Sequence, residues 1–175
     1  MRANELSKIL IYDENVFTEK LLRNLLQAFE ISTIDTCHTT PEAITLLKEG
    51  DVDCIIMDWA KGEGSDLELV KMIRSGKYCR YDMPIVLCTS QNRKADVLKA
   101  RDSGVSEIII KPIEADHLLA KLVAAYFDAR PYIDVKTYKG PDRRRKSSDD
   151  YTGPERRGRA GLKQDGADSI MKADA

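Results

Sequence analysis

The sequence lacks the features that mark membrane, secreted and zinc-dependent proteins. It has no apolar run of the roughly 18 residues that a membrane-spanning helix requires. Its first residues, MRANELSKIL, lack the basic, apolar and small-residue regions of a signal peptide. The two histidines, His38 and His117, are far apart, and the four cysteines show no metal-ligand spacing. We therefore expect a cytoplasmic protein without zinc, in which the cysteines are small buried hydrophobic residues.

Charge is distributed unevenly along the 175 residues. Residues 1–130 carry 17 basic and 21 acidic side chains, whereas residues 131–175 carry 11 basic and 8 acidic ones. Within the second segment, residues 136–159 have a net charge of +5. A basic segment attached to an acidic body predicts an anionic partner for the tail alone.

Apolar runs alternate with amphipathic helical patterns through residue 130. The predicted strands are residues 9–12, 31–37, 54–57, 85–88 and 108–110. Five successive strand–helix units predict an α/β fold with a parallel sheet, right-handed crossovers and helices on both faces. Five units are too few for an eight-fold barrel. We therefore expect an open, doubly wound sheet whose ligand site lies beyond the carboxyl ends of the strands.

Polar side chains follow four of these strands directly, namely Asp13, Glu14, Asp58, Thr89 and Lys111. A single aspartate at a strand end is ordinarily a loop or capping residue. Five such residues at four strand ends instead favour a shared cleft, because these ends meet at one edge of a parallel sheet. Three crowded carboxylates repel one another, and Mg²⁺, which prefers oxygen ligands, would relieve that repulsion.

The same residues suit the chemistry of phosphoryl transfer. Asp58, on the central strand, would act as a nucleophile towards phosphorus and form an aspartyl phosphate. Lys111 and Mg²⁺ would neutralise charge on the transferring group, and Thr89 would donate a hydrogen bond to a phosphoryl oxygen. A conventional hydrolase is disfavoured, since residue 60 is alanine and the D-x-D spacing of aspartate-nucleophile phosphatases is missing. We therefore expect a phosphoacceptor and not an enzyme.

Residues 7–129 resemble the CheY-like receiver domains of bacterial response regulators. The resemblance rests on the motifs ILIYDEN at 9–15, DCIIMDW at 53–59, MPIVLCTS at 83–90 and SEIIIKPI at 106–113. It implies a receiver domain over residues 1–130 with the flavodoxin-like strand order 2-1-3-4-5. It also implies that the phosphoryl group comes from a histidine kinase or phosphotransfer protein, and that phosphorylation switches binding to a protein target.

The resemblance further implies a role for each site residue. Asp58 would be the phosphoacceptor, and Asp13, Glu14 and Asp58 would bind magnesium together with the main-chain carbonyl of Ala60. Thr89 would be the switch hydroxyl. Lys111 would pair with the phosphate, next to a Lys–Pro bond that is typically cis in the family.

Some positions depart from the family pattern. Ile108 stands where an aromatic residue is common, and Glu14 stands where a second aspartate is frequent. The alternative is therefore a pseudo-receiver, which has the receiver fold but never accepts phosphate. Such a protein would be controlled by a ligand that binds to its C-terminal tail.

Residues 131–175 form a basic tail that we predict to be mostly disordered, because it contains too few large apolar residues to bury a core. It is too short for a DNA-binding output domain, so specific DNA is not an expected partner. The tail repeats the pattern Y-x-G-P-[DE]-R-R at residues 138–145 and 151–158.

The repeat allows three interpretations: a solvated tail, a contact segment for nucleic acid or an acidic protein surface, and a clamp for an anionic nucleotide. Arginine forks match phosphates and guanine edges, and tyrosine rings stack on bases. The arrangement resembles the arginine-rich extension of CheY-like proteins that bind cyclic di-GMP. That resemblance implies ligand contacts through Arg143, Arg144, Arg156 and Arg157, with Tyr138 and Tyr151 as stacking residues.

Overall fold

We describe residues 7–59, 64–128 and 130–143 of a computed structural model of the chain. Five strands form one parallel sheet: β1 (Lys8–Tyr12), β2 (Thr33–Cys37), β3 (Cys54–Trp59), β4 (Ile85–Thr89) and β5 (Glu107–Ile110). Five helices alternate with them: α1 (Val16–Ala28), α2 (Thr40–Glu49), α3 (Gly64–Arg74), α4 (Lys94–Ser103) and α5 (Ala115–Tyr126). The strand order is β2-β1-β3-β4-β5, which confirms the predicted topology.

The apolar runs of the sequence form the core because the central strands are covered on both faces. On one face, Ile11 and Ile56 pack with Leu22 of α1 and Leu122 of α5. On the other face, the side chains of alternate strand residues pack against α2, α3 and α4. The helices thus enclose the sheet from both sides, as the doubly wound prediction requires. Among the described residues, no helix has the length and apolar character needed to cross a membrane.

Three of the four cysteines are buried, as predicted, and the fourth is partly exposed. Cys37, Cys54 and Cys88 are buried, Cys79 is half-buried, and all four are free thiols. Burial raises the pKa of the Cys88 thiol to about 12, with a further contribution from the Asp58 carboxylate. These cysteines are therefore protonated packing residues at neutral pH.

A β-hairpin follows the last helix and lies in the segment that we expected to be a mostly disordered tail. Its strands are β6 (Tyr132–Val135) and β7 (Tyr138–Pro141), which pair in antiparallel register. No strand was predicted for these residues, because the segment contains too few large apolar residues to bury a core. The two strands have four residues each, and β7 contains Gly140 and Pro141, both unfavourable in strands.

The hairpin packs closely on the turn between α4 and β5. A Cβ atom placed on Gly104 would lie 2.3 Å from the carbonyl oxygen of Lys139, and one placed on Gly140 would lie 2.8 Å from the Cα of Gly104. Gly104 also has a φ of 102°, a backbone conformation that favours glycine. The two glycines therefore allow the two backbones to touch. The Tyr132 ring extends this contact to Tyr81, with ring centroids 4.7 Å apart.

Replacing Gly104 with alanine is expected to destabilise the protein by more than the cost of the positive φ alone, by about 2–3 kcal/mol in total. The added methyl group collides with the hairpin backbone, which must move. Urea denaturation of the full chain measures the loss. Gly50→Ala is the matched control, because Gly50 has a φ of 82° with nothing within 4 Å of the new Cβ. Equal losses for the two variants would contradict the close contact.

Candidate functional site

The carboxyl ends of β1 and β3 bring two aspartates to adjacent positions. Tyr12 and Met57 are partners in the register of the two strands, and each is followed by one of the buried carboxylates. Asp13 is 1% exposed and Asp58 is 8% exposed. The parallel sheet therefore places both carboxylates at the edge where the sequence analysis predicted a cleft.

Lys111 is brought to the same cleft from the end of β5. Its Nζ lies 2.8 Å from Asp58 Oδ1. The main-chain N–H of Lys111 donates to the Thr89 carbonyl over 2.8 Å, which fixes the lysine beside the end of β4. The following Lys111–Pro112 bond is cis, as the family resemblance implied. The ammonium thus directly neutralises the carboxylate that we predict to be the nucleophile.

Thr89 is fully buried at the end of β4, next to the Asp58 strand. It pairs in register with Trp59, and its hydroxyl donates to the Trp59 carbonyl over 3.0 Å. The same oxygen accepts the Gln91 N–H over 3.0 Å. The hydroxyl therefore lies one residue away from Asp58 along β3, but it is engaged with the backbone in this conformation.

Asp13 is a buried carboxylate with an incomplete set of partners. Its Oδ1 accepts the Asn15 N–H over 2.7 Å, whereas its buried Oδ2 has no hydrogen-bond partner among the described residues. Burial raises the pKa of Asp13 to about 6, and the Asp58 charge adds to the rise, while the Asn15 amide opposes it. An unpartnered carboxylate oxygen beside a second carboxylate is well suited to a hard cation.

The remaining predicted magnesium ligands have different outcomes. Glu14 is exposed on the turn after β1, so its role as a ligand stays a prediction. Ala60, the predicted source of a main-chain carbonyl, lies outside the described residues. Within the part of the chain that the structure describes, no group of three or more His, Cys, Asp or Glu side chains is arranged to hold a metal ion. Asp13 and Asp58 are the two predicted carboxylate ligands that the structure buries side by side, and the three-carboxylate cage stays a prediction.

His38 lies next to the site, although the sequence pattern did not point to it. Its Nδ1 lies 2.8 Å from the Asp13 carbonyl oxygen, and its Nε2 lies 3.6 Å from Glu19 Oε2. Glu19 in turn pairs with Arg23 at 3.3 Å. His38 directly follows β2, so the rule that located the other residues at strand ends could also have located this one.

Two of the predicted tail residues, Tyr138 and Arg143, are described, and they lie away from this cleft, at the opposite end of the sheet. Tyr138 and Arg143 belong to the hairpin segment that packs on the turn preceding β5. Tyr138 is 6% exposed and the Arg143 guanidinium covers its ring at 4.3 Å, so it is not available for stacking on a base in this structure. The other predicted tail contacts, Arg144, Tyr151, Arg156 and Arg157, lie outside the described residues.

The raised pKa of Asp13 predicts how the unfolding free energy of the protein depends on pH. Between pH 4 and 6 the unfolded chain ionises this carboxyl while the folded protein retains the proton, so stability falls as the pH rises through this window and stays lower above it. Asp13→Asn removes the burial cost of the charge. We expect it to raise the unfolding free energy by about 2 kcal/mol at pH 7.5 in EDTA, and by much less at about pH 4. Urea denaturation at both pH values tests this, and an asparagine variant less stable than wild type at pH 7.5 would contradict it.

Comparisons with known proteins agree with this geometry. A family model described as the response regulator receiver domain matches residues 9–123. The chain is 34% identical over 116 residues to a chemotaxis protein CheY homolog of Campylobacter jejuni, covering 66% of this chain and 88% of that protein. It is 28% identical over 119 residues to the chemotaxis protein CheY-3 of Vibrio cholerae, covering 68% and 91%.

Solved structures give the same result. A two-component response regulator from Clostridium difficile matches with a TM-score of 0.59 and 32% identity, covering 68% of this chain and 94% of that one. The receiver domain of a Pseudomonas aeruginosa sensor histidine kinase, described with magnesium in its active site cleft, matches in fold with a TM-score of 0.58 and 18% identity, covering 69% and 97%. The fold and the site thus define a CheY-like receiver, which is consistent with two-component signalling. The chain belongs to the response regulator receiver domain family.

Proposed function

We propose that this protein is a phosphoryl-accepting response regulator in the cytoplasm. Asp58 receives the phosphoryl group from a histidine kinase or phosphotransfer protein, and the phosphorylated form changes its binding to a protein target. The observation that supports this most is the Asp58–Lys111 contact of 2.8 Å beside buried Asp13. The protein acts as a switch that is itself modified, and not as an enzyme that turns over a separate substrate.

The transfer forms one bond and breaks another. A carboxylate oxygen of Asp58 attacks the phosphorus of the donor phosphohistidine and forms a P–O bond. The P–N bond breaks, and its electron pair remains on the imidazole nitrogen. The Lys111 ammonium stabilises the negative charge that develops on the phosphoryl oxygens. Burial of the Asp58 side chain strengthens these charge interactions because little water screens them.

We propose that Asp13 and Asp58 take part in holding a magnesium ion. Asp13 would offer its unpartnered Oδ2 and Asp58 its carboxylate, while Glu14 and the Ala60 carbonyl are the further ligands that the family pattern implies. When bound, Mg²⁺ supplies positive charge that offsets carboxylate and phosphoryl charge. Cation binding would also relieve the repulsion that contributes to the raised pKa of Asp13.

Thr89 connects the site to the rest of the fold. Its hydroxyl must leave the Trp59 carbonyl to donate to a phosphoryl oxygen on Asp58. That movement alters the end of β4 and the loop that leads to α4. Ile108, partly buried opposite Leu87, takes the position of the common family aromatic. We infer that the switch works here through movement of the β4–α4 segment without rotation of an aromatic ring.

Removal of the metal tests the proposal. The 175-residue chain incubated with acetyl phosphate and Mg²⁺ is expected to gain one phosphoryl group by intact mass, and excess EDTA is expected to slow this uptake at least about tenfold. Uptake in EDTA at the rate seen with Mg²⁺ would contradict the magnesium role. A wild-type protein that takes up no phosphoryl group would favour the pseudo-receiver instead.

We propose a separate role for the tail, which is binding of an anionic nucleotide of the cyclic di-GMP type. The repeated arginine pairs support it, as does the guanidinium of Arg143, whose side chain is 43% exposed. Because Tyr138 is buried, we propose Tyr151 as the residue that stacks on a base of the ligand. Calorimetry with cyclic di-GMP tests this role, and an Arg143/Arg144/Arg156/Arg157→Ala variant should lose the heat of binding.

A further inference from the structure

Three positions in the first copy of the tail repeat make packing contacts within the chain. Tyr138 is buried, and its hydroxyl donates to the Pro141 carbonyl over 2.6 Å, which closes the end of the hairpin. Gly140 provides the close approach to Gly104. These three repeat positions are therefore explained by packing of the hairpin, without any ligand.

Arg143, the first arginine of the repeat, is held at the edge of this packing. Its Nη1 lies 2.9 Å from Asp102 Oδ1 on α4, and its guanidinium lies 4.3 Å from the centre of the Tyr138 ring. Arg101 shares the same carboxylate at 2.8 Å. Two guanidinium groups thus converge on one side chain of α4.

We propose that Asp102 competes, within the chain, for the arginine that the tail offers to an anionic ligand. This inference rests on the proposed nucleotide binding by the tail. A carboxylate and a phosphate engage a guanidinium through the same N–H donors, so Arg143 cannot make both contacts with the same N–H groups. Asp102 therefore lowers the affinity of the tail for its ligand.

The strength of the internal contact suits such competition. Asp102 and Arg143 have side chains that are 45% and 43% exposed, and ion pairs of this exposure are weak enough to be exchanged. Tyr138 and the two glycines keep the hairpin in place while Arg143 moves. Coupling is reciprocal, so a ligand that takes Arg143 also frees the Asp102 carboxylate at the end of α4. Binding of a ligand by the tail would then change the contacts of α4, the helix that follows Thr89 at the end of β4.

Calorimetry of the full chain with cyclic di-GMP tests this. Asp102→Asn is expected to bind about two- to fivefold more tightly than wild type, because Arg143 is no longer retained. Asp134→Asn is the charge-matched control, because Asp134 lies in the same hairpin and pairs with Lys139. In an Arg143→Ala background, Asp102→Asn should have no further effect. Thermal melting should show that each variant remains folded.

Two different failures can be told apart. If wild type binds but Asp102→Asn gains no more affinity than Asp134→Asn, the competition is contradicted while nucleotide binding stands. If neither wild type nor any variant binds cyclic di-GMP, the proposed tail function fails, and this inference fails with it.

Discussion

Asp58→Asn is expected to reduce phosphoryl uptake from acetyl phosphate at least about 100-fold, in effect to none. Asparagine preserves the size of the side chain, so it fits the site at the end of β3. Its amide is not a nucleophile towards phosphorus, and it cannot form the acyl phosphate. Intact-mass measurement over time, with Mg²⁺ present, should show one added phosphoryl group per wild-type chain and none on the variant.

Asp51→Asn is the matched control for this experiment. Asp51 is exposed just before β3 and has a φ of 67°, a conformation that asparagine also adopts. It carries the same chemical change without access to the cleft, so it should take up phosphate as wild type does. Equal uptake by the Asp58 and Asp51 variants would refute the assignment of the phosphoacceptor.

Arg74→Met is expected to cause a large loss of stability, about 3 kcal/mol or more. Arg74 is 2% exposed, and its guanidinium donates to the carbonyl oxygens of Gly104, Tyr81 and Met83 at 2.8, 2.8 and 2.6 Å. Burial lowers the pKa of Arg74 to about 10, so the side chain is still charged at neutral pH. Methionine fills similar space but leaves these three carbonyls without their arginine donor. Urea denaturation with fluorescence detection measures the change.

Two variants on the same helix separate this network from general effects. Lys71→Met removes an exposed charge from α3 and should change the unfolding free energy by less than about 0.5 kcal/mol. Arg74→Lys keeps the charge but cannot reach all three carbonyls, so its loss should be intermediate. An Arg74→Met variant that unfolds at the wild-type urea concentration would show that the network does not stabilise the fold.

The position of the main site could be predicted because its residues directly follow the strands of a parallel sheet. Each buried apolar run ends at a polar residue, and a parallel sheet brings those ends together whatever the loops contain. Asp58 and Lys111 are 53 positions apart in the sequence, yet they lie 2.8 Å apart in the cleft. The geometry follows from the topology, so no knowledge of the loops was needed.

The hairpin was not predictable, because its stability depends on contacts between distant residues. Its strands are short and carry poor strand formers, and their pairing is supported by Gly104, Tyr81 and other residues of the parallel-sheet unit. Tertiary packing outweighed local preference here. The repeat at Tyr138 suggested contacts with a ligand. In the structure, Tyr138 is buried and Gly140 packs against Gly104, so these positions hold the hairpin on the rest of the domain.

The environment of Asp13 could be only partly foreseen. The sequence placed it beside Asp58, but its unpartnered Oδ2 and its contact with His38 depend on how the β2 loop packs. Such details follow from side-chain geometry and not from the spacing of residues. They matter because they decide how strongly the site attracts a cation.

Chemical trapping of the modified residue is the most direct test of the proposed function. Full-length protein treated with acetyl phosphate and Mg²⁺ would be reduced with borohydride, which converts an aspartyl phosphate to homoserine with release of phosphate. Peptide mass spectrometry should then find homoserine at position 58 and an unchanged aspartate at position 13. Homoserine at another aspartate, or at none in a sample whose intact mass shows phosphorylation, would contradict it.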